Sequence, residues 1–238
     1  MYLSDLHTHT IASGHGTACT IADLAKEASA RGLRLLGISD HGPATTGAGT
    51  ESYFRSLTYA PAVRCGIGIL YGAECNILDF EGRLDLPDEV INRLDFAIAS
   101  LHRQNIKPSS REDNTRAVIS AMKHPGIKIA GHLDDTHYPL DYEAVVLAAR
   151  EYHVLPEVNE ASLAPDGYRG DTRANLGSLL AFCQRHRVPV ILSSDSHGRA
   201  HVGDFTLASA FLHETGFPES LVMNNRISEL KGFLSASL

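Results

Sequence analysis

The chain has 238 residues, 43% of them hydrophobic and 21% charged, which is the make-up of an ordinary globular protein large enough for one barrel-sized domain. A net charge of −7 argues against a broad nucleic-acid surface, although bound metal ions can reverse the local field and admit an anion. No apolar run is long enough to span a bilayer, and no basic patch followed by an apolar stretch marks a signal peptide, so a cytoplasmic protein away from membranes is expected.

The first expected strand, Leu3–His9, carries Asp5, His7 and His9 at alternate positions, which an extended chain turns to one face. Two imidazoles one pleat apart can share a metal ion. A helix follows, with the apolar stripe Ile21, Leu24, Ala25 and Ala28, opened by Thr20 as N-cap and closed by Gly32. Strand-like runs recur at Leu33–Asp40, Gly68–Asn76, Phe96–His102, Ile127–His132, Leu155–Asn159 and Val190–Ser194. Further helical stripes run through Ala117, Val118, Ala121 and Met122, then Val145, Val146 and Ala149 behind Asp141, then Leu176, Leu179, Leu180 and Cys183 behind Asp171 and Thr172. Gly42–Thr50 reads as a mobile loop at the mouth of a site, Cys75–Leu86 as a hairpin-like insertion, and Arg226–Leu238 as a closing helix. No low-complexity linker divides the chain, so residues 1–238 are expected to form a single domain. Nearly all-apolar strands alternating with helices predict parallel strands, in a closed barrel or a doubly wound sheet.

Cys19, Cys65, Cys75 and Cys183 have no CxxC spacing and fit reduced thiols better than a disulfide framework. The 13 histidines carry more information. His124, His153, His186, His201 and His213 fall in or near helices and turns and read as surface or packing residues, and His137 as a pocket residue without a nameable partner. The others gather at strand ends. His7 and His9 end the first strand, with His15 one short loop later, and His41 ends the second. Glu74 lies late in the third, His102 and His132 end the fourth and fifth, and Asp195 and His197 end the last. In parallel α/β folds the carboxyl ends of the strands face the functional crevice. A catalytic zinc takes about three protein ligands, so nine candidate ligands suit three ions, with Glu74 as the bridging carboxylate. Such a pocket stays positive inside a negative protein, and a phosphate dianion is its natural ligand.

The segments DLHTHT at 5–10, SGHG at 13–16, ISDHG at 38–42, GAECN at 72–76, ASLH at 99–102, GH at 131–132, EVN at 157–159 and SSDSHG at 193–198 resemble the PHP (polymerase and histidinol phosphatase) superfamily, most closely its small stand-alone YcdX-like phosphatases. The resemblance implies an α/β fold of the distorted seven-stranded (β/α) barrel type, TIM-like in outline, with a trinuclear site. It assigns His7, His9, Glu74 and Asp195 to one metal, Glu74, His102 and His132 to a second, and His15, His41 and His197 to a third. Zinc is favoured, with manganese or iron as alternatives. Two departures stand out: the fifth strand of many relatives ends in His-Pro, where this chain has His132-Leu133, and Arg103-Gln104 after His102 matches no family pattern.

The expected reaction is hydrolysis of a small phosphorylated metabolite, a phosphate monoester attacked by a hydroxide held between two metals. Glu74, Asp195 and His197 are its candidate catalytic groups, and the proton source for the leaving alkoxide stays open among Asp195, His197 and a metal-bound water. Asp5 and Asp40 are expected to fix imidazole tautomers. Asn159, Arg169 and Arg103 are expected to contact substrate. Two alternatives are a phosphodiesterase or exonuclease of the PHP type, and a non-catalytic PHP module that binds metal or a partner. The first lacks a basic groove here, and the second should show eroded ligands. The oligomeric state is not legible.

Overall fold

The computed structural model describes residues 2–165 and 167–236. In chain order they form β1 (Ser4–Asp5), α1 (Ile21–Ala30), β2 (Leu35–Ile38), α2 (Glu51–Leu57), β3 (Val63–Arg64), β4 (Ile67–Asn76), α3 (Asp88–Ile91), β5 (Phe96–Ser100), α4 (Arg111–Met122), β6 (Ile127–Ala130), α5 (Tyr142–Glu151), β7 (Leu155–Asn159), α6 (Arg173–His186), β8 (Ile191–Ser193), α7 (Thr206–Thr215) and α8 (Ile227–Ser235). The sheet order is β1-β2-β4-β5-β6-β7-β8, every neighbouring pair parallel, and β3 lies antiparallel on β4 off this path. Seven parallel strands wrapped by helices make the barrel, the first of the two arrangements that the repeats left open and the one that the resemblance implied.

Closure combines a backbone bridge with one asparagine. Beyond the strand ends, Thr8 bridges Ser196 in parallel and His9 N donates to Ser196 O at 2.9 Å. Deeper in, Asn224 fills the seam: its Nδ2 donates to Ser4 O (2.9 Å) and Leu192 O (2.8 Å), and its Oδ1 accepts from Leu192 N (2.9 Å). Buried backbone groups need partners, and here a side-chain amide supplies what a ladder would.

The interior has a floor and a mouth. Leu35, Phe96, Leu155 and Ile191 each open a strand, and with Leu6, Ile98 and Ile129 they form an apolar cluster sealed from below by Met223 and by Leu230 and Leu234 of α8. Phe96 fits because Gly37 and Gly72 leave room: a Cβ on either would come within 2.8 Å of its ring. A separate outer cluster joins strands to helices through residues such as Leu24, Ile38, Ala73, Val118, Val146 and Leu180. The helices start where capping residues stand. Thr20 and Asp23 form a capping box on α1, Ser110 accepts from Asp113 N on α4, and Asp141 accepts from Ala144 N on α5.

Several expectations change in detail. The first strand is expected over Leu3–His9, but its ladder stops at Asp5, whose Oδ1 accepts from His7 N at 3.4 Å. That break lets consecutive Leu6 and His7 both face the barrel interior, one toward the floor and one toward the mouth. The hairpin is present as an Ile77–Leu84 bridge turning at Gly82 (φ 81°). The loop at 42–50 is tied down by Ala44 N on Asp85 (3.0 Å) and Gly49 N on Ala12 O (2.7 Å). The closing helix is α8, and Ser237 and Leu238 at its expected end lie outside the described residues.

Candidate metal centre

Strand alternation carries the site upward from the floor. The inward row of β5 runs Phe96, Ile98, Ser100 and on to His102; that of β7 runs Leu155, Glu157, Asn159; that of β8 runs Ile191, Ser193 and on to Asp195. Each row starts apolar and ends polar. Glu74, inward on β4 opposite Ile98, stands at the centre.

All nine expected ligands come together. Glu74 Oε2 lies 3.4 Å from His7 Nε2, 3.6 Å from His9 Nε2 and 2.6 Å from His41 Nδ1. Its Oε1 faces His132 Nε2 at 3.0 Å and His102 Nε2 at 3.2 Å. Asp195 Oδ1 lies 3.2 Å from His9 Nε2 and 3.6 Å from His7 Nε2. The His197 ring stacks on His9 with centroids 4.1 Å apart, and His15, exposed at the edge, sits 4.9 Å from His41 and 5.0 Å from His197. Three overlapping sets have donor atoms within 4.8 Å of one another: His7, His9, Asp195; His41, Glu74, His102; and His9, His41, His197.

These residues fit divalent metal ions. His7 Nε2, His9 Nε2, His41 Nδ1, His197 Nε2 and Glu74 Oε2 are buried without a hydrogen-bond partner. Such atoms are costly unless something else satisfies them, and imidazole with carboxylate is the donor set of zinc and similar ions. On His7, His9, His102 and His197 the other ring nitrogen is engaged, and the direction of those bonds follows from their end points. His7 Nδ1–H donates to Glu157 Oε1 at 2.6 Å. Ser13 Oγ donates to Asp40 Oδ1 at 2.7 Å and so accepts from His9 Nδ1–H at 2.9 Å. Asn76 spends its Nδ2 on Asp85 (2.6 Å), so its Oδ1 accepts from His102 Nδ1–H at 2.6 Å. His197 Nδ1–H donates to Asp195 O at 3.2 Å. In these four rings the Nε2 lone pair is left for the centre.

Burial works against the Glu74 carboxylate, yet His102, His41 and His7 hold its pKa well below the usual range. Burial likewise opposes ionised Asp195, and His7, Arg169 and His9 outweigh it. His7 is buried too, but Glu157, Asp195 and Glu74 raise its pKa well above the ordinary value, whereas burial together with His41 and His197 drives His9 well below it. Two candidate ligands also have strained backbones: His132 at φ 29° and Asp195 at φ 53°.

The remaining expected residues divide. Asp40 supports His9 through Ser13, and is itself fixed by Thr10 N (2.6 Å), Thr10 Oγ1 (2.8 Å) and Tyr53 OH (2.5 Å). Asp5 contacts no imidazole ring among the described residues; it accepts from Ser194 Oγ (2.6 Å), Ser194 N (3.2 Å), Gly203 N (2.8 Å) and the His7 backbone, binding β1 to the end of β8. Arg169 is buried with Nη2 on Asp195 Oδ2 (2.8 Å) and Nη1 on Asn159 Oδ1 (3.2 Å), and Asn159 lies fully buried behind it. Arg103 is exposed at the rim. A cavity of about 660 Å³ opens over the centre, lined by the candidate ligands His15, His41, His102, His132, Asp195 and His197 together with Leu101, Arg103, Gln104, Asp135, Tyr168 and Arg169. A groove of similar size along α4 and α5 holds none of the nine ligands.

Glu157 had no expected role, although it opens the EVN segment at 157–159 that carries part of the family resemblance. The signal was there: Glu157 shares the inward face of β7 with Asn159, one pleat below the strand end. Ser13, Asn76 and Tyr53 were missed as well; Ser13 and Asn76 lie in the SGHG and GAECN segments, while Tyr53, in the short helix α2, carries no comparable sequence signal.

The PHP domain model matches residues 5–158. A protein named probable phosphatase from Clostridium botulinum is 40% identical over 233 residues, covering 98% of this chain and 94% of that one. Another of that name, from Clostridium acetobutylicum, is 40% identical over 235 residues, covering 99% and 95%. The crystal structure of histidinol phosphate phosphatase from Lactococcus lactis, complexed with zinc, L-histidinol and phosphate, matches with a TM-score of 0.60 at 17% identity, over 91% of this chain and 95% of that one. A chain of archaeal ribonuclease P, solved with mature tRNA, gives 0.54 at 14% identity, over 98% and 92%. At such identities the two structures speak for the barrel and not for its chemistry. The family match and the near full-length relatives, by contrast, establish kinship: this chain belongs to the PHP domain family.

Proposed function

We propose that the chain acts as one metal-dependent phosphatase domain, hydrolysing the phosphate monoester of a small metabolite to an alcohol and inorganic phosphate. The observation that carries this reading is Glu74, whose two oxygens face different imidazoles, Oε2 toward His7, His9 and His41 and Oε1 toward His102 and His132. A carboxylate so placed is suited to bridge two ions. With His15, His41 and His197 clustered beyond it, the donor set has room for a third, and zinc is our choice on ligand type. Relatives named probable phosphatase, and the zinc and phosphate in the Lactococcus lactis structure, agree with this choice.

Bound divalent ions would supply a nucleophile near neutral pH and neutralise phosphate charge. The chain's own residues do the rest. Arg169 and Asn159 clamp Asp195 Oδ2, leaving Oδ1 to face His7 and His9. Glu157, Ser13 and Asn76 hold three imidazoles with their Nε2 atoms turned to the centre. His197 lies where the centre meets the open cavity, placed to act on the leaving group. A cytoplasmic setting fits four free cysteines, and among the described residues no helix is long and apolar enough to cross a membrane.

The test is a comparison on zinc-loaded protein of p-nitrophenyl phosphate, bis-p-nitrophenyl phosphate and single-stranded DNA. The monoester should be turned over at least tenfold faster, by kcat/KM, than either diester. Equal or faster DNA hydrolysis overturns the reading in favour of a nuclease.

A further inference from the structure

We propose that the cavity rim holds a second anion subsite, in which Arg103, aimed by the Asp135–His137 pair, binds an acidic group on the alcohol portion of the phosphate ester. The inference rests on the phosphatase reading and adds a substrate class to it: monoesters whose leaving alcohol bears a carboxylate or a similar anion.

Space comes first. At about 660 Å³ the cavity falls within the range of small-molecule sites, roughly 300–1,000 Å³, and exceeds what inorganic phosphate needs. The part of the lining that carries none of the candidate ligands is therefore free for the rest of the substrate. Arg103 belongs to that part, one residue past His102, and is not itself among the candidate ligands.

Orientation is the second observation. A surface arginine usually sweeps through solvent, but this one is held. Asp135 is buried, and its Oδ1 accepts from His137 N (2.9 Å) and from His137 Nδ1–H (2.7 Å). With Nδ1 donating, His137 Nε2 offers a lone pair, and Arg103 Nη1 donates to it at 3.3 Å. Asp135 is in turn anchored to the end of β6 by its N–H on His132 O (3.2 Å). A carboxylate, an imidazole and a guanidinium thus stand in series on the scaffold that carries a metal ligand.

Charge is the third. Among the described residues no carboxylate lies within ion-pair distance of Arg103, so it keeps its full charge and most of its five donors. The pair behind it spends one N–H on alignment and leaves the rest of the fork for a planar acidic group. His137 and Asp135 are positioning residues in this scheme, and Arg103 selects the substrate.

The experiment uses a matched pair of esters, 3-phosphoglycerate and glycerol 3-phosphate, which differ in a carboxylate against a hydroxymethyl group, with p-nitrophenyl phosphate as the common reference on zinc-loaded protein. Wild type should show a KM at least tenfold lower for 3-phosphoglycerate at comparable kcat. Arg103→Met should bring the two KM values within about twofold, and Arg103→Lys should restore part of the gap. His137→Ala should raise KM severalfold for the carboxylate ester alone, a split that a merely structural loss would not produce. Hydrolysis of both esters by wild type with equal KM overturns the subsite and leaves the phosphatase reading standing. An Arg103→Met variant that keeps the preference overturns it too. No turnover of any of the three esters overturns both together.

Discussion

Exchanging Glu157 for Gln removes one oxygen from a buried carboxylate that has three donors aimed at it: His7 Nδ1–H at 2.6 Å on Oε1, and His132 N (2.7 Å) and Asn159 Nδ2 (3.0 Å) on Oε2. A carboxylate accepts all three, whereas an amide offers one oxygen and turns an NH₂ toward whatever remains. If the oxygen stays with His132 and Asn159, the NH₂ meets His7 Nδ1, and His7 must carry its proton on Nε2, the atom that faces Glu74 and Asp195. If the amide flips, the buried His132 N–H loses its acceptor at a cost of about 1–3 kcal/mol, beside a backbone already at φ 29°. Exchanges of groups that orient metal ligands cost about 10–100-fold in affinity, or about 1.4–2.8 kcal/mol, the same range as the stranded donor. The volume is conserved, so the metal-free protein should still fold. Zinc titration against a competing chelator should therefore show an affinity 10–100-fold weaker at the ion held by His7, with the ion beyond His41 retained. Affinity within twofold of wild type would show that Glu157 does not set the His7 tautomer.

Three further perturbations probe the same architecture. Glu74→Gln should cost two ions together by elemental analysis, because each of its oxygens faces separate imidazoles; loss of a single ion refutes the bridge. His15→Ala should deplete one ion selectively and weaken inhibition by free phosphate, and unchanged inhibition counts against that role. Gly37→Ala sets a methyl 2.8 Å from the Leu6 backbone and the Phe96 ring. It should destabilise the fold by about 1–3 kcal/mol in calorimetry with zinc stoichiometry unchanged, and an unaltered Tm would mean that the floor relaxes at no cost.

The convergence of the nine candidate ligands was legible because each is placed by local pattern. An inward residue at the carboxyl end of a parallel strand reaches the mouth of the barrel whatever its partners are. Glu157 was not legible in the same way: a glutamate inside a strand has meaning only through His7, which lies 150 positions away. Asp5 misled for the opposite reason. Alternation put it beside His7 and His9, but its carboxylate captures backbone N–H groups of His7, Ser194 and Gly203, and that local capture is what breaks the alternation. Asn224 closes the barrel through three hydrogen bonds to strands at both ends of the sheet, a role no window of sequence contains. Helices α2 and α3, of seven and four residues, are too short to show a stripe.

The supporting groups share a logic that bears on how the centre is prepared. Four imidazole chains end on a group that can only accept: the Glu157 carboxylate for His7, Asp40 for His9, Asp85 by way of Asn76 for His102, and a backbone carbonyl for His197. An acceptor with no proton to give fixes every bond direction along the chain, so the Nε2 atoms of these rings converge before any ion arrives. That readiness is costly to the fold, since it leaves unpartnered nitrogens in the interior and two ligands at positive φ, each worth about 1–3 kcal/mol of strain. The opposite end of the barrel offsets it. Leu35, Phe96, Leu155 and Ile191, sealed by α8, form an apolar floor below the polar ends of the inward rows, so stability and function sit at opposite ends of the same strands. Loss of a ligand at the mouth should therefore remove metal before it removes the fold, while a change in the floor should do the reverse.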